Sequence, residues 1–261
     1  MKSKIYRKKQ IKAVLLMELV FVFYGVVFSQ QMQEMGLNSI FSSANELYSK
    51  KEYSSAREKY EEVRKLLFEK NKVSGEVLYN IGNCYYRENK LGYARYYYEL
   101  AKLISCRDND INYNLKFLIQ LLNLKEEGSV VEKICDKFTL QEIYWILFVG
   151  NIIFFALFFA SILIGNKLVR RLRNVSLLFF LVLVILFFIK YSIVNKNYGI
   201  VVEPTIISSS PDEDIEKKSS SVAEGRKVVV ISEKDDYYSV YLTEENVQGW
   251  IKKDKVYLLK Q

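Results

Sequence analysis

Cys84, Cys106 and Cys135 are the only thiols in a chain of 261 residues that has no histidine at all. A thiol becomes a nucleophile when a neighbouring base takes its proton, and it becomes a metal ligand when C-x-x-C spacing or imidazoles stand beside it. Neither arrangement is present, and without histidine there is no Ser-His-Asp triad and no His-ligated metal site. The sequence has no G-x-x-x-x-G-K-[ST] phosphate loop and no convincing pair of carboxylates. The reading is of a non-enzyme: no catalytic residue, no metal ligand and no cofactor. Cys84 is expected to be a small buried residue. Cys106 and Cys135 could pair outside the cytoplasm, although their separation favours free thiols.

The elements that carry these residues are set by where the apolar residues fall. The composition is 50% hydrophobic and 26% charged, with a net charge of +8. That is too polar for a polytopic transporter and too apolar for one soluble domain unless the apolar residues are concentrated. They are: residues 143–165 carry no charge, and residues 175–195 carry only Lys190, which is placed to snorkel. Each run is long enough to cross a bilayer core of about 30 Å. The positive excess lies beside apolar runs. Lys2, Lys4, Arg7, Lys8, Lys9 and Lys12 precede one of them, and Lys167, Arg170, Arg171 and Arg173 occupy a turn at residues 166–174. This is a positive-inside pattern, not the basic face that nucleic acid would need. Residues 1–29 read as a signal peptide or an N-terminal anchor. The expected topology has the 166–174 turn in the cytoplasm and the segments before and after the helical hairpin outside it.

Residues 38–127 contain an internal repeat. Tyr79-Asn80-Ile81 returns as Tyr113-Asn114-Leu115, and Ala56 and Tyr60 return as Ala94 and Tyr98. The run from Leu78 through Gly82 and Cys84 to Tyr86, followed by Leu91, Ala94, Tyr98 and Ala101, resembles the tetratricopeptide (TPR) repeat. The resemblance implies stacked helical pairs packed through Ala44, Ala56, Tyr60, Gly82, Tyr85, Ala94, Tyr98 and Ala101. It also implies a concave peptide-binding groove at Asn45, Tyr48, Tyr79, Asn80, Asn83, Tyr86, Arg87, Tyr113 and Asn114. An Asn amide both donates to a peptide carbonyl and accepts from its N–H. The competing expectation is that these Asn residues are structural. The third copy stops after one helix, and a helix over 138–144 or a partner is expected to complete the stack.

Residues 198–260 change period to short runs rich in Val, Ile and Tyr. Glu224-Gly225 before Val228-Val229-Val230-Ile231, then Asp236-Tyr237-Tyr238-Ser239-Val240 and Gly249-Trp250-Ile251, resemble a bacterial SH3-like barrel. The expected architecture is thus a multi-domain membrane protein: an all-α TPR-like repeat, a transmembrane helical hairpin and a small all-β SH3-like barrel. That order of parts, with Phe41-Ser42-Ser43-Ala44-Asn45-Glu46-Leu47-Tyr48 and the Leu78–Tyr86 run, resembles the BatE-type proteins of bacterial aerotolerance operons. The resemblance implies a scaffold in the bacterial inner (cytoplasmic) membrane, with both soluble domains extracytoplasmic. Its implied partners are the bilayer and von Willebrand A-type membrane proteins, with an AAA-type MoxR ATPase in the same assembly. The alternative is an envelope module that docks on peptidoglycan through the SH3-like domain.

Overall fold

The computed structural model describes residues 34–125, 137–210, 220–243 and 245–259. The N-terminal signal or anchor and Cys135 lie outside the described residues.

The chain divides into two units, residues 1–72 and 73–261. In the first, α1 (residues 34–49) pairs with α2 (Tyr53–Glu69). Ala44, Ala56 and Val63 are fully buried, and Tyr60 packs edge-on against Phe41 at 5.6 Å. The small Ala residues let the backbones approach, and the large Tyr fills the space beside them.

The second unit opens with α3 (Gly75–Arg87), α4 (Leu91–Ile104) and α5 (Asn109–Leu121). Ser74 and Asp108 cap α3 and α5 by accepting from backbone N–H groups of the first turn. Gly82 faces the α3–α4 contact: a Cβ there would stand 2.7 Å from the Tyr98 ring. Ala94, Tyr98, Leu115 and Leu118 form the core between α4 and α5, with Tyr85 half-buried against it.

Two helices long and apolar enough to cross a membrane follow, α6 (Leu140–Ile164) and α7 (Lys167–Val194). Thr139 and Glu142 form a capping box that starts α6 three residues before the charge-free run. The helices pack as an antiparallel hairpin through Gly150 against Leu183, Phe154 stacked on Phe180 at 6.2 Å, and Arg173 Nη1 donating to Ser161. The connection is far shorter than the expected turn over 166–174. Gly165 ends α6 at φ +66, and the Asn166 side chain immediately caps α7. The four cations therefore ride on the first turns of a helix. Left-handed Gly followed by an Asn cap reverses the chain in two residues.

The C-terminal part is a small antiparallel β domain. Its strands are β1 (Tyr198–Val201), β2 (Thr205–Ile207), β3 (Ser220–Val222), β4 (Lys227–Lys234), β5 (Tyr237–Leu242), β6 (Val247–Lys252) and β7 (Val256–Leu258). Five form one sheet in the order β6-β5-β4-β1-β7, and β2 pairs with β3. Val201, Ile207, Val222, Val228, Val240, Leu242, Ile251 and Val256 fill the core. Gly249 admits β2: a Cβ there would stand 2.5 Å from Ile207.

Candidate interaction surface

Three Asn residues of the expected groove bond first across to neighbouring helices. In α1, Asn45 is exposed and its Oδ1 accepts from the Tyr60 hydroxyl at 2.6 Å. In α3, the Asn83 Oδ1 accepts from the Tyr98 hydroxyl at 2.7 Å. Each couple joins the two helices of one pair, with Asn fifteen residues before its Tyr. Asn114 of α5 donates from Nδ2 to the Tyr79 hydroxyl at 2.6 Å, and the Tyr79 ring leans on Tyr98 at 5.6 Å. Asn83, Tyr98, Tyr79 and Asn114 are therefore one connected cluster running from α3 through α4 to α5.

Each engaged amide keeps capacity. Asn83 retains its Nδ2 donors and Asn114 its Oδ1 acceptor, while the half-buried Asn80 is held by no hydrogen bond among the described residues. Tyr86 meets Phe117 edge-on at 6.3 Å, with the exposed Arg87 guanidinium 6.0 Å from its ring. Tyr113 is 70% exposed. Tyr48, in the first unit, packs on Tyr53 at 5.3 Å. Phe117 was not among the expected residues, although its place four residues after Tyr113 puts both on one helix face.

The second polar assembly was absent from the sequence reading altogether. It lies on the back of α4, against the β domain. Gly92 lets the two backbones meet: a Cβ there would stand 2.3 Å from the Val202 carbonyl oxygen. The Glu224 carboxylate accepts from the Gly92 N–H at 2.9 Å, capping a helix whose own N-cap residue, Lys90, supplies no side-chain cap. Arg95, 1% exposed, donates to the Gly225 carbonyl. Gly225 itself sits at φ +76 against Leu122. Glu99 lies 3.5 Å from Arg95 and 3.6 Å from Lys227. Burial pushes the Glu99 carboxyl up, but the cations Lys227, Arg95 and Lys102 outweigh it and hold the group below the usual glutamate range.

At the edge of this seam the Tyr93 hydroxyl donates to Glu203 at 3.0 Å, and Lys255 pairs with the same carboxylate. Hydrogen bonds from Lys255 and Tyr93 lower Glu203, and the bond to Glu203 raises Lys255. Tyr93 and Tyr96 both meet Tyr257 edge-on. The short helical stack is thus covered on its back by the β domain. Of the segment expected to complete the stack, Phe138 and Tyr144 are 39% and 56% exposed, while Ile143 is buried and Glu142 pairs with Arg107.

Trp250 is half-buried on the sheet face opposite the core residue Ile251. Cys84 is buried within α3, Cys106 is half-buried, and neither is in a disulfide. Compared with protein-family models, with curated proteins and with solved structures, the chain matches none.

Proposed function

We propose that this chain is a membrane-anchored scaffold: TPR-like helical pairs and an SH3-like barrel, both outside the cytoplasm, held on a transmembrane hairpin to capture partner proteins of the bacterial envelope. The supporting observation is the occupied back of α4. It turns the helices α3–α5 and the β domain into one block and leaves the Asn80, Asn83, Tyr86, Tyr113 and Asn114 side of α3 and α5 to solvent. An amide whose oxygen is fixed by a Tyr hydroxyl presents its remaining donors in one direction, which lowers the entropy cost of gripping an extended peptide. The strand order of the β domain, with β1 paired to both β4 and β7 and a 3₁₀ turn at Lys253–Lys255 before β7, supports the SH3-like reading. The basic first turns of α7 support a cytoplasmic tip for the hairpin. A von Willebrand A-type membrane protein of the same assembly is the proposed partner class.

The test uses full-length protein in membranes, with a photocrosslinking residue at Asn80 or, as control, at Glu233 on β4. Adducts with membrane proteins from position 80 and none from 233 are expected. Protein adducts absent at 80, or capture of the chain by purified sacculi instead, would overturn the scaffold reading. External protease on spheroplasts should reach both soluble parts.

A further inference from the structure

The seam on α4 measures how far each part of the block reaches toward the hairpin. Gly92 meets Val202, Arg95 meets Gly225, which pairs with Val201, and Glu99 meets Lys227, which pairs with Ile200. Helix α4 therefore runs antiparallel to β1, and its C-terminal end points where β1 begins. Both lead to the same end of the hairpin. β1 starts four residues after α7 ends, and Arg107, just past α4, pairs with Glu142 in the first turn of α6.

Past Glu99, α4 has five residues left, about 8 Å of helix. Past Lys227, β4 continues for seven more residues and turns at Asp235–Asp236, about 26 Å along the strand. The β4–β5 hairpin thus outreaches α4 toward the ends of α6 and α7. Beyond Val230, whose N–H bonds to the Asn197 carbonyl, β4 leaves the β1 ladder, and a bulge between Val230 and Ser232 turns Ile231 outward to 52% exposure. Ser232, Glu233 and Lys234 are exposed as well. Across the tip stand Tyr237, paired with Lys252, and Lys253, whose ammonium lies 3.2 Å from Glu233.

We propose that this hairpin tip rests on the headgroup layer of the bilayer that α6 and α7 cross, as a second, peripheral contact with the membrane. The inference rests on the membrane-spanning reading given above. Tyr is suited to the interface because its ring is apolar and its hydroxyl wet, and Ile231 supplies apolar area beside it. The tip balances Lys234, Lys252 and Lys253 against Glu233, Asp235 and Asp236. That zero net charge complements zwitterionic headgroups, whose phosphate takes the ammonium groups and whose amine takes the carboxylates. Anionic lipid would gain nothing from it. The contact would fix the tilt of the whole block over the membrane.

The experiment places the full chain in phosphatidylcholine nanodiscs carrying a headgroup nitroxide and reads quenching of a single indole. Trp145 is kept alone by Trp250→Phe. Three further variants lack both native Trp residues (Trp145→Phe with Trp250→Phe) and carry Tyr237→Trp, Lys234→Trp or Val247→Trp. Val247, 40% exposed, lies at the opposite end of β6. Trp145 and the indoles at 237 and 234 should lose most of their emission, while the indole at 247 keeps most of its own. Two tip positions guard against a variant that fails to fold. If Trp145 is quenched but positions 237 and 234 behave like 247, the tip does not touch the bilayer and the inference falls alone. If Trp145 is not quenched, the membrane-spanning reading falls and takes the inference with it.

Discussion

The helices α2 and α4 carry the same polar pattern in very different surroundings. Thirty-eight residues separate Ala56 from Ala94, Arg57 from Arg95, Tyr60 from Tyr98 and Glu61 from Glu99. In α2 the arginine and glutamate are half-buried, and Glu61 pairs with Arg64 at 2.6 Å near the surface. In α4 both are buried, tied to Gly225 and Lys227 of the β domain. One local difference accompanies the change: the exposed Ser54 of α2 is replaced by Gly92. Without that side chain another backbone reaches the helix, and the Arg/Glu positions that are half-buried in α2 are buried in α4. The comparison shows that an Arg/Glu pair at i, i+4 says little about its own energetics until its covering is known.

The strongest way to break the comparison is to remove the arginine from each copy. Arg95→Ala leaves the buried Glu99 and the half-buried Lys227 beside a gap and should cost about 3–5 kcal/mol, whereas Arg57→Ala, at a half-buried position, should cost about 1 kcal/mol or less. Urea denaturation of both variants in detergent checks this, and equal losses would show that α4 is no more covered than α2.

A side chain at the glycine should come next. Gly92→Leu drives atoms into the Val202 backbone and should cost about 1–3 kcal/mol, with faster amide exchange along β1 and α4, while Ser54→Leu points into solvent and should cost almost nothing. Hydrogen exchange that leaves the α4 and β1 amides protected in Gly92→Leu would contradict the seam.

The Asn–Tyr couples sharpen the comparison at smaller scale. Asn83→Ala removes the acceptor of the Tyr98 hydroxyl, on a side chain 2% exposed, and should cost about 1–2 kcal/mol. Asn45→Ala should cost less, because Asn45 itself is exposed and water can take its place at the Tyr60 hydroxyl. Asn80→Ala, with no side-chain hydrogen bond to lose among the described residues, should leave the melting temperature unchanged and reduce partner capture alone.

The smallest effect is on pH. Glu99 and Glu203 are lowered in the folded state, so their stabilisation is full above the unfolded glutamate value of about 4.3 and fades as pH falls through the depressed folded values. Lys255 is raised, so its contribution is full below the unfolded lysine value of about 10.4 and fades above it. The protection of the α4 amides, taken relative to their intrinsic exchange rates, should hold between roughly pH 4.3 and 10.4 and fall outside that window first at the seam. An exchange profile for α4 that follows α2 across the whole range would count against it.

Much of this architecture is local and could be read without coordinates. Apolar length alone marks α6 and α7, because a helix that is apolar on every side needs no periodic pattern to be recognised. Small and large residues recurring in register mark the helical pairs, and Val/Ile/Tyr runs between turn residues mark the strands. The turn at Gly165-Asn166 was also written in the chain, but four adjacent cations made it look longer than it is. The residues expected to line a groove lie on α1, α3 and α5, and the hydroxyl partners of Asn45, Asn83 and Asn114 depend on which helix lies across from them.

What only the tertiary structure decided is the seam. Gly92 and Glu224 are 132 residues apart, and nothing in either neighbourhood names the other. Arg95 and Glu99 give the same local signal as Arg57 and Glu61: a charged pair one turn apart on an amphipathic helix. Hydrophobic periodicity records which face of a helix avoids water, but a polar face can be either solvated or matched by opposite charge. That choice belongs to the long-range pairing of the chain, because an ion pair has no periodicity to distinguish the two cases.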